Sequence, residues 1–204
     1  MQELSRWLYT VSTLLLVPVM VVLLGMLAWV VVLFGGFLRE WMERARCHRH
    51  LAEAVRVSKH LDRNGLWRHL KEVRLGLLVR FRAALPEADV PPEDPAVLDH
   101  AFAEVENAQA RSIAILSYLT RLGPMLGLMG TLIPLGPALT GLAGGNMQEL
   151  SSNLVLAFST TIAGIFVSVL AFTMSLARRV WYEQDLVDLE FLVKRLKPVG
   201  TPHA

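Results

Sequence analysis

The chain has 204 residues, of which 53% are hydrophobic and only 19% charged, and its formal net charge at pH 7 is +2. A soluble domain carries about 25% charged residues, so this excess of apolar residues excludes a soluble globular enzyme, a nucleic-acid-binding domain and a disordered chain. The single cysteine excludes an internal disulfide framework and a metal site built from cysteines alone, and the small net charge gives no reason to expect a polyanionic partner.

Three long segments without charged residues account for the apolar excess. They are residues 11–38, 122–148 and 150–177, and each exceeds the roughly 20 residues that a helix needs to cross a bilayer. The first segment is too long, and its flanking charges are too balanced, for a cleaved signal peptide. We therefore predict a retained membrane helix over about residues 8–38.

The segment between the first two spans is predicted to be helical and to lie outside the membrane. Apolar residues recur there at helical spacing from Leu51 to Leu77. Gly65 is predicted to mark a helix end or a tight turn, and the proline-rich residues 86–95 to separate two helices. A helix is expected to restart at Ala96 and to run into the second span. The third helix is expected to continue past the membrane as far as Pro198.

The positive charges predict the orientation. Of the 20 lysines and arginines, 13 lie in residues 39–111 and only Arg6 precedes the first span, which by the positive-inside rule places the N-terminus outside and the C-terminus in the cytoplasm. We predict an all-α membrane protein with three transmembrane helices and long cytoplasmic helical extensions. Its predicted parts are residues 1–38 (outer N-terminus and first span), 39–111 (cytoplasmic helices), 112–178 (a hairpin of two spans) and 179–204 (a cytoplasmic C-terminal helix).

Spans two and three are unusually rich in small residues. In span two, Gly123, Gly127 and Gly130 beside Pro124 permit close approach of another helix. Span three has a small and polar face opposite a large apolar one. The polar face comprises Asn153, Ala157, Thr161, Gly164, Ser168 and Ser175, with Thr160 beside it. Two interpretations stay open: the hydroxyls only bond backbone carbonyls, or the face lines a polar surface.

The three uncharged segments contain no histidine, and by definition no acidic or basic side chain. A proton-conducting protein needs a titratable group within the membrane. Hydroxyl groups do not titrate near neutral pH, so this chain alone offers polar side chains along a path but no proton-binding carboxylate.

Other candidate sites are weak. Cys47, His48 and His50 form the one cluster with metal-ligand residue types, and its flanking arginines favour a solvated basic collar below the membrane over a metal site. His60, His69 and His100 are scattered and predicted to lie at the surface.

Arg121 begins span two, either as an interfacial anchor or as a positive guard at the cytoplasmic mouth of a pore. No phosphate-binding loop, nucleophile elbow or carboxylate pair is present, so no enzyme activity is predicted.

Spans two and three each contain a recognisable motif: Gly-Pro-Met-Leu-Gly-Leu-Met-Gly-Thr at residues 123–131 and Thr-Ile-Ala-Gly at residues 161–164. These motifs and the order of the elements give the stretch from Arg121 to Glu190 a resemblance to the MotA/TolQ/ExbB proton channel family. It implies a ring of five copies around two copies of a small single-span partner of the ExbD, TolR or MotB type, whose aspartate carries the proton. It also implies a motor driven by the proton motive force in the cytoplasmic (inner) membrane.

The resemblance further implies that Thr131 and Thr161 face the pore. With them we predict that Thr160, Asn153 and Ser168 line the ion path, and that Gly123, Pro124, Gly127, Gly130 and Gly164 pack helices together. ExbB-type chains have a glutamate five residues before the span-three threonine, where this chain has Leu156. Neither a cofactor nor a metal is expected. Which ion is conducted, proton or sodium, and which process is powered stay open. The alternative function is a non-conducting scaffold that clamps a partner helix.

Overall fold

A computed structural model describes residues 2–58, 61–72, 76–86 and 91–198. The regular elements in these ranges are five helices: α1 (Gln2–Ser58), α2 (Arg63–Glu72), α3 (Gly76–Ala83), α4 (Pro95–Ala143) and α5 (Met147–Leu196). Of these, α1, α4 and α5 contain stretches long and apolar enough to cross a membrane. The described part of the chain is therefore all-helical with three candidate membrane-spanning helices, as the sequence predicts.

The long helices begin and end at recognisable signals. Pro95 opens α4 at a position where a backbone N–H has no intrahelical partner, and the carboxylate of Asp94 accepts a hydrogen bond from the Ala96 N–H at 2.8 Å. At the other end of the chain, α5 ends at Leu196, two residues before Pro198. The predicted restart near Ala96, the uninterrupted second span and the extended third helix are confirmed. The first helix runs to Ser58, well past its predicted end.

The prediction that Gly65 marks a helix end or a tight turn is wrong. Gly65 lies in the first turn of α2, which starts at Arg63, and the Leu66 N–H donates to the carbonyl oxygen of Asp62 at 2.8 Å. Glycine lowers helix propensity by about 1 kcal/mol, whereas each buried large apolar side chain contributes roughly 1.5–3 kcal/mol. Burial of Leu66 and Trp67 therefore outweighs the propensity of this glycine.

The chain divides into two compact units, and the first comprises residues 1–38 and 114–176. Within it α1 buries one face whose residues recur at helical spacing: Val19, Leu23, Met26 and Val30. Small residues dominate the buried side of α5, whereas Phe158, Ile162 and Phe172 are more than half exposed. Exposed apolar side chains on such helices are typical of surfaces that contact lipid or another membrane helix.

The second unit comprises residues 39–113 and 177–204 and has its own hydrophobic core. Its buried side chains come from α2, from α3 and the turn that follows it, from the first part of α4 and from the last part of α5: Leu66, Trp67, Leu70, Leu78, Phe81, Leu85, Leu98, Ala101, Val105, Leu189, Leu192, Val193 and Leu196. The last turns of α5 are held by Arg63, whose Nε donates to the carbonyl oxygen of Leu196 at 2.7 Å. This part of the chain is a packed helical body rather than a linker.

Candidate functional site

Helices α4 and α5 meet within the first unit along a seam of glycines. A Cβ atom at Gly123 would lie 2.5 Å from the carbonyl oxygen of Gly164, and one at Gly164 would clash in turn with the backbone of Gly123. A Cβ at Gly130 would lie 2.7 Å from the Cβ of Thr160. Backbones this close leave room for hydrogen atoms only, which is why small residues occupy both sides of the contact.

Two of the predicted path residues are held in this seam. Thr160 is 5% exposed, and its hydroxyl donates to the carbonyl oxygen of Ala157 at 2.8 Å. The hydroxyl of Ser168 donates across the seam to the carbonyl oxygen of Thr120 at 2.8 Å. Both hydroxyls thus form hydrogen bonds within the chain itself, and their place in an ion path stays a prediction. Pro124, predicted to pack helices, is exposed, whereas Gly123, Gly127, Gly130 and Gly164 are buried.

Thr131, Thr161 and Asn153 differ from these residues because their side chains are only half-buried. The Cα of Thr161 lies 3.4 Å from the position that a Cβ of Gly127 would occupy. Thr131 follows Gly127 by about one helical turn, so the two threonines lie within roughly 6 Å of each other along the helix axes. The two threonines that the sequence motif singles out therefore lie at similar heights along the seam.

The two threonine hydroxyls are held with different strength. Thr131 Oγ1 donates to the carbonyl oxygen of Leu128 at 2.7 Å, whereas Thr161 Oγ1 reaches the carbonyl oxygen of Ala157 only at 3.4 Å. The second distance exceeds the 2.5–3.0 Å of a well-formed O–H···O bond. The Thr161 hydroxyl can consequently turn to another acceptor at a smaller loss than the Thr131 hydroxyl.

The turn between α4 and α5 is fixed by local hydrogen bonds. Gly145 adopts a φ of 76°, which favours glycine. The side-chain oxygen of Asn146 accepts a hydrogen bond from the Glu149 N–H at 3.2 Å, and its amide nitrogen donates to the Glu149 carboxylate at 3.1 Å. Asn146 thereby caps the start of α5, and Glu149, the acidic residue nearest the small-residue seam in the sequence, holds the side chain of Asn146 in place.

A network of ion pairs in the second unit was not predicted from the sequence. The guanidinium of Arg44 donates to both carboxylate oxygens of Asp185, at 3.2 and 2.5 Å. Arg178 donates to Glu40 at 3.0 Å and to the hydroxyl of Ser112 at 3.0 Å. We call Glu40, Arg44, Arg178 and Asp185 the charged clamp, because they join α1 to α5 with two cations and two anions.

Aromatic side chains surround the charged clamp. The guanidinium carbon of Arg44 lies 5.1 Å from the ring centroid of Trp181, and Trp41 packs edge-on against Trp181. Tyr182 and Asp188 lie beyond the uncharged run that ends at residue 177. Burial raises the pKa of Tyr182, and burial followed by the neighbouring Asp185 raises the pKa of Asp188. Both shifts favour the protonated, neutral form beside the clamp.

One signal in the sequence could have revealed the clamp. Glu40 and Arg44 lie one turn apart just after the first uncharged run, and Arg178 and Asp185 lie two turns apart just after the third. The two helices therefore present opposite charges in matching order. The prediction of a merely basic segment after the first span overlooked this arrangement.

We expect Asp185→Ala to lower the free energy of unfolding by about 1–3 kcal/mol, because Arg44 then keeps a partly buried charge without its bidentate acceptor. Thermal unfolding in detergent, followed by circular dichroism, measures the loss. Glu43→Ala is the matched control, since its ion pair with Arg39 at 2.9 Å is largely exposed and is worth less than about 1 kcal/mol. Equal effects of the two variants would contradict a structural role for the clamp.

The remaining predicted positions stand apart from the seam. Arg121 is exposed, as both of its interpretations require, and His100 is exposed while His69 is half-buried. The backbone of Cys47, His48 and His50 belongs to α1, but their side chains, like the whole of His60, lie outside what the structure describes. Within the described ranges, no three histidine, cysteine or acidic residues are arranged to hold a metal ion.

Comparison with known proteins identifies a family. A family model of the MotA/TolQ/ExbB proton channel family matches residues 75–190, which is more than half of the chain and includes the seam and most of both long helices. No curated protein and no solved structure matches the chain significantly.

Proposed function

Because the chain belongs to the MotA/TolQ/ExbB proton channel family, we propose that it is the multi-span subunit of a membrane motor driven by ion flow. It forms a homo-oligomeric ring, with five copies as the family resemblance implies, around a single-span partner of the ExbD, TolR or MotB type. The N-terminus lies outside the cytoplasmic (inner) membrane and the C-terminus inside. The subunit passes ions, with the proton as the leading candidate, and catalyses no covalent reaction.

The observation that supports this proposal is the position of Thr131 and Thr161 at similar heights beside the glycine seam. Their half-buried hydroxyls lie within about one helical turn of each other, in membrane segments that contain no acidic or basic side chain. A hydroxyl can donate a hydrogen bond to a carboxylate or orient water, but it does not bind a proton near neutral pH. The titrating group must therefore come from the partner helix.

The chemistry of a partner carboxylate explains why hydroxyls are useful at this place. An ionised carboxylate in the membrane needs hydrogen-bond donors, because burying a charge without partners is very costly. Thr161 supplies such a donor by releasing its long bond to the Ala157 carbonyl. Once protonated, the carboxyl group is neutral and can pass the apolar surface between one subunit and the next. Repeated around a ring, this alternation converts ion flow into rotation of one component against the other.

Ion flux in liposomes tests the proposal directly. The chain reconstituted alone should conduct poorly, and the chain with its co-purified single-span partner should conduct at least roughly tenfold faster, because the partner supplies the titratable group. Replacing the membrane aspartate of the partner by asparagine should return the flux to the level of the chain alone. Assembly of the complex without any flux would instead favour the alternative function, a scaffold that clamps a partner helix.

A further inference from the structure

The part of α5 beyond the membrane segment exposes an apolar face. Val180, Val187 and Phe191 are 49%, 66% and 36% exposed, and their spacing of seven and four residues places them on one side of the helix. They follow Arg178 and Arg179, where the uncharged run has already ended. Lipid therefore does not cover them, and a large apolar face in water is typical of a protein contact.

The part of α4 in the same unit exposes a face formed by two alanines and an asparagine. Ala103 is half-buried, and Asn107 and Ala110 are exposed, at spacings of four and three residues. Small side chains along a helix leave a shallow groove into which larger side chains of another helix can pack. The α4 face is therefore a shallow groove, and the α5 face carries larger side chains that can fill it.

Exposed charges flank both faces, with Arg111 on one side of the α4 face and Glu106 on the other. One pair across the two faces is of opposite sign. Arg111 lies next to the α4 face and Glu183 next to the apolar face of α5, and both side chains are exposed. Within the described ranges, neither forms an ion pair with another residue of its own chain. Each face therefore carries an unpaired charge that the other face can neutralise, which points to a second copy of this chain as the occupant.

The two charges also lie at nearly the same height along the helices. Helices α4 and α5 run antiparallel in this unit. Arg178 donates a hydrogen bond to the Ser112 hydroxyl near one end of the pair, and Lys197 forms an ion pair with Asp99 near the other. Counted from either contact at 1.5 Å per residue, Arg111 and Glu183 differ in height by about 3–6 Å, which a long arginine side chain can span. A rotation axis parallel to the helices relates residues of equal height in neighbouring copies, so Arg111 of one copy faces Glu183 of the next.

We propose that, outside the membrane, the α5 face of Val180, Val187 and Phe191 in one copy packs along the α4 face of Ala103, Asn107 and Ala110 in the next. The Arg111–Glu183 ion pair fixes the register of this contact. The contact is heterologous, because different surfaces meet, and repetition closes a ring. The inference rests on the proposed function only in requiring a homo-oligomer.

Cysteine crosslinking tests the contact in the full-length protein. In a Cys47→Ser background, Arg111→Cys and Glu183→Cys are made in separate chains that carry different tags and are co-expressed. An ion-paired arginine and glutamate hold their Cα atoms farther apart than the roughly 4.4–6.8 Å that a disulfide allows, so a bismaleimide with a flexible spacer is used to join the two thiols. A crosslinked dimer containing both tags is expected, and it can form only between subunits because each chain has one cysteine. The control pairs Arg111→Cys with Val79→Cys, an exposed position on α3, and should give no more dimer than either single variant alone.

Charge reversal gives a second measurement. Arg111→Glu or Glu183→Arg alone should shift native mass spectra in mild detergent towards smaller species, and the two changes combined in one chain should restore the ring. An intact ring without the 111–183 crosslink would overturn this contact while leaving the proposed function in place. A crosslinked ring that conducts no ions with its partner would overturn the proposed function and leave the contact in place. A chain that is monomeric under both measurements would refute the contact.

Discussion

Replacing Thr161 by valine is expected to lower partner-dependent ion flux by roughly 10- to 150-fold while the oligomer stays assembled. Valine keeps the shape of threonine and removes the hydroxyl, so under the proposed mechanism the partner carboxylate loses one donor. A hydrogen bond to a charged group is worth about 1.5–3 kcal/mol, and each 1.36 kcal/mol corresponds to a factor of ten in rate. Flux in liposomes and native mass spectrometry on the same preparation measure the two properties separately.

Matched variants compare how much each of the two threonines contributes to ion flux. Thr131 loses a good 2.7 Å bond to the Leu128 carbonyl when it turns to a carboxylate, whereas Thr161 gives up only a 3.4 Å contact. Thr131→Val should therefore reduce flux less than Thr161→Val, and Thr161→Ser, which keeps a hydroxyl, should reduce it least. Normal flux in both valine variants would mean that the hydroxyls only bond the backbone and that the proposed path is wrong.

The long helices could be predicted from the sequence because their signals are local. Uncharged runs longer than a bilayer thickness define the spans, and the prolines at 95 and 198 lie at helix boundaries that the structure confirms. The boundaries of the short amphipathic helices were harder to predict from the sequence. Gly65 was misjudged because the burial of Leu66 and Trp67, which depends on distant parts of the chain, decides where α2 begins.

The function of the polar face of α5 could be predicted only in part. The sequence places small and hydroxyl-bearing residues on one side of the helix, but it does not say what that side contacts. In the structure Gly164, Thr160 and Ser168 lie against α4, while Thr161 stays half-buried. Neighbouring threonines of one helix thus differ in burial because a rotation of about 100° per residue separates them.

Gly164→Ala is expected to destabilise the α4–α5 hairpin by about 3 kcal/mol, the upper end of the usual cost of overpacking. The added Cβ would clash with the Gly123 carbonyl oxygen and lie 3.0 Å from the Gly127 Cα. Both are backbone atoms, which cannot move aside as the end of a flexible side chain can. The helices must separate, and with them the threonines that the seam positions. Thermal unfolding in detergent and the yield of folded protein from membranes measure the effect.

Two further glycines provide a graded control for this clash. A Cβ at Gly127 meets its nearest atoms at 3.4 Å, an ordinary contact distance, and one at Gly36 meets nothing within 4 Å. Gly127→Ala should therefore be nearly neutral, and Gly36→Ala should stabilise α1 by about 0.5–1 kcal/mol through helix propensity. The order Gly36, Gly127, Gly164 follows from backbone distance alone, because each substitution adds the same methyl group. If all three alanine variants unfold at the same temperature, close backbone packing does not hold the hairpin together, and the threonines need another explanation for their position.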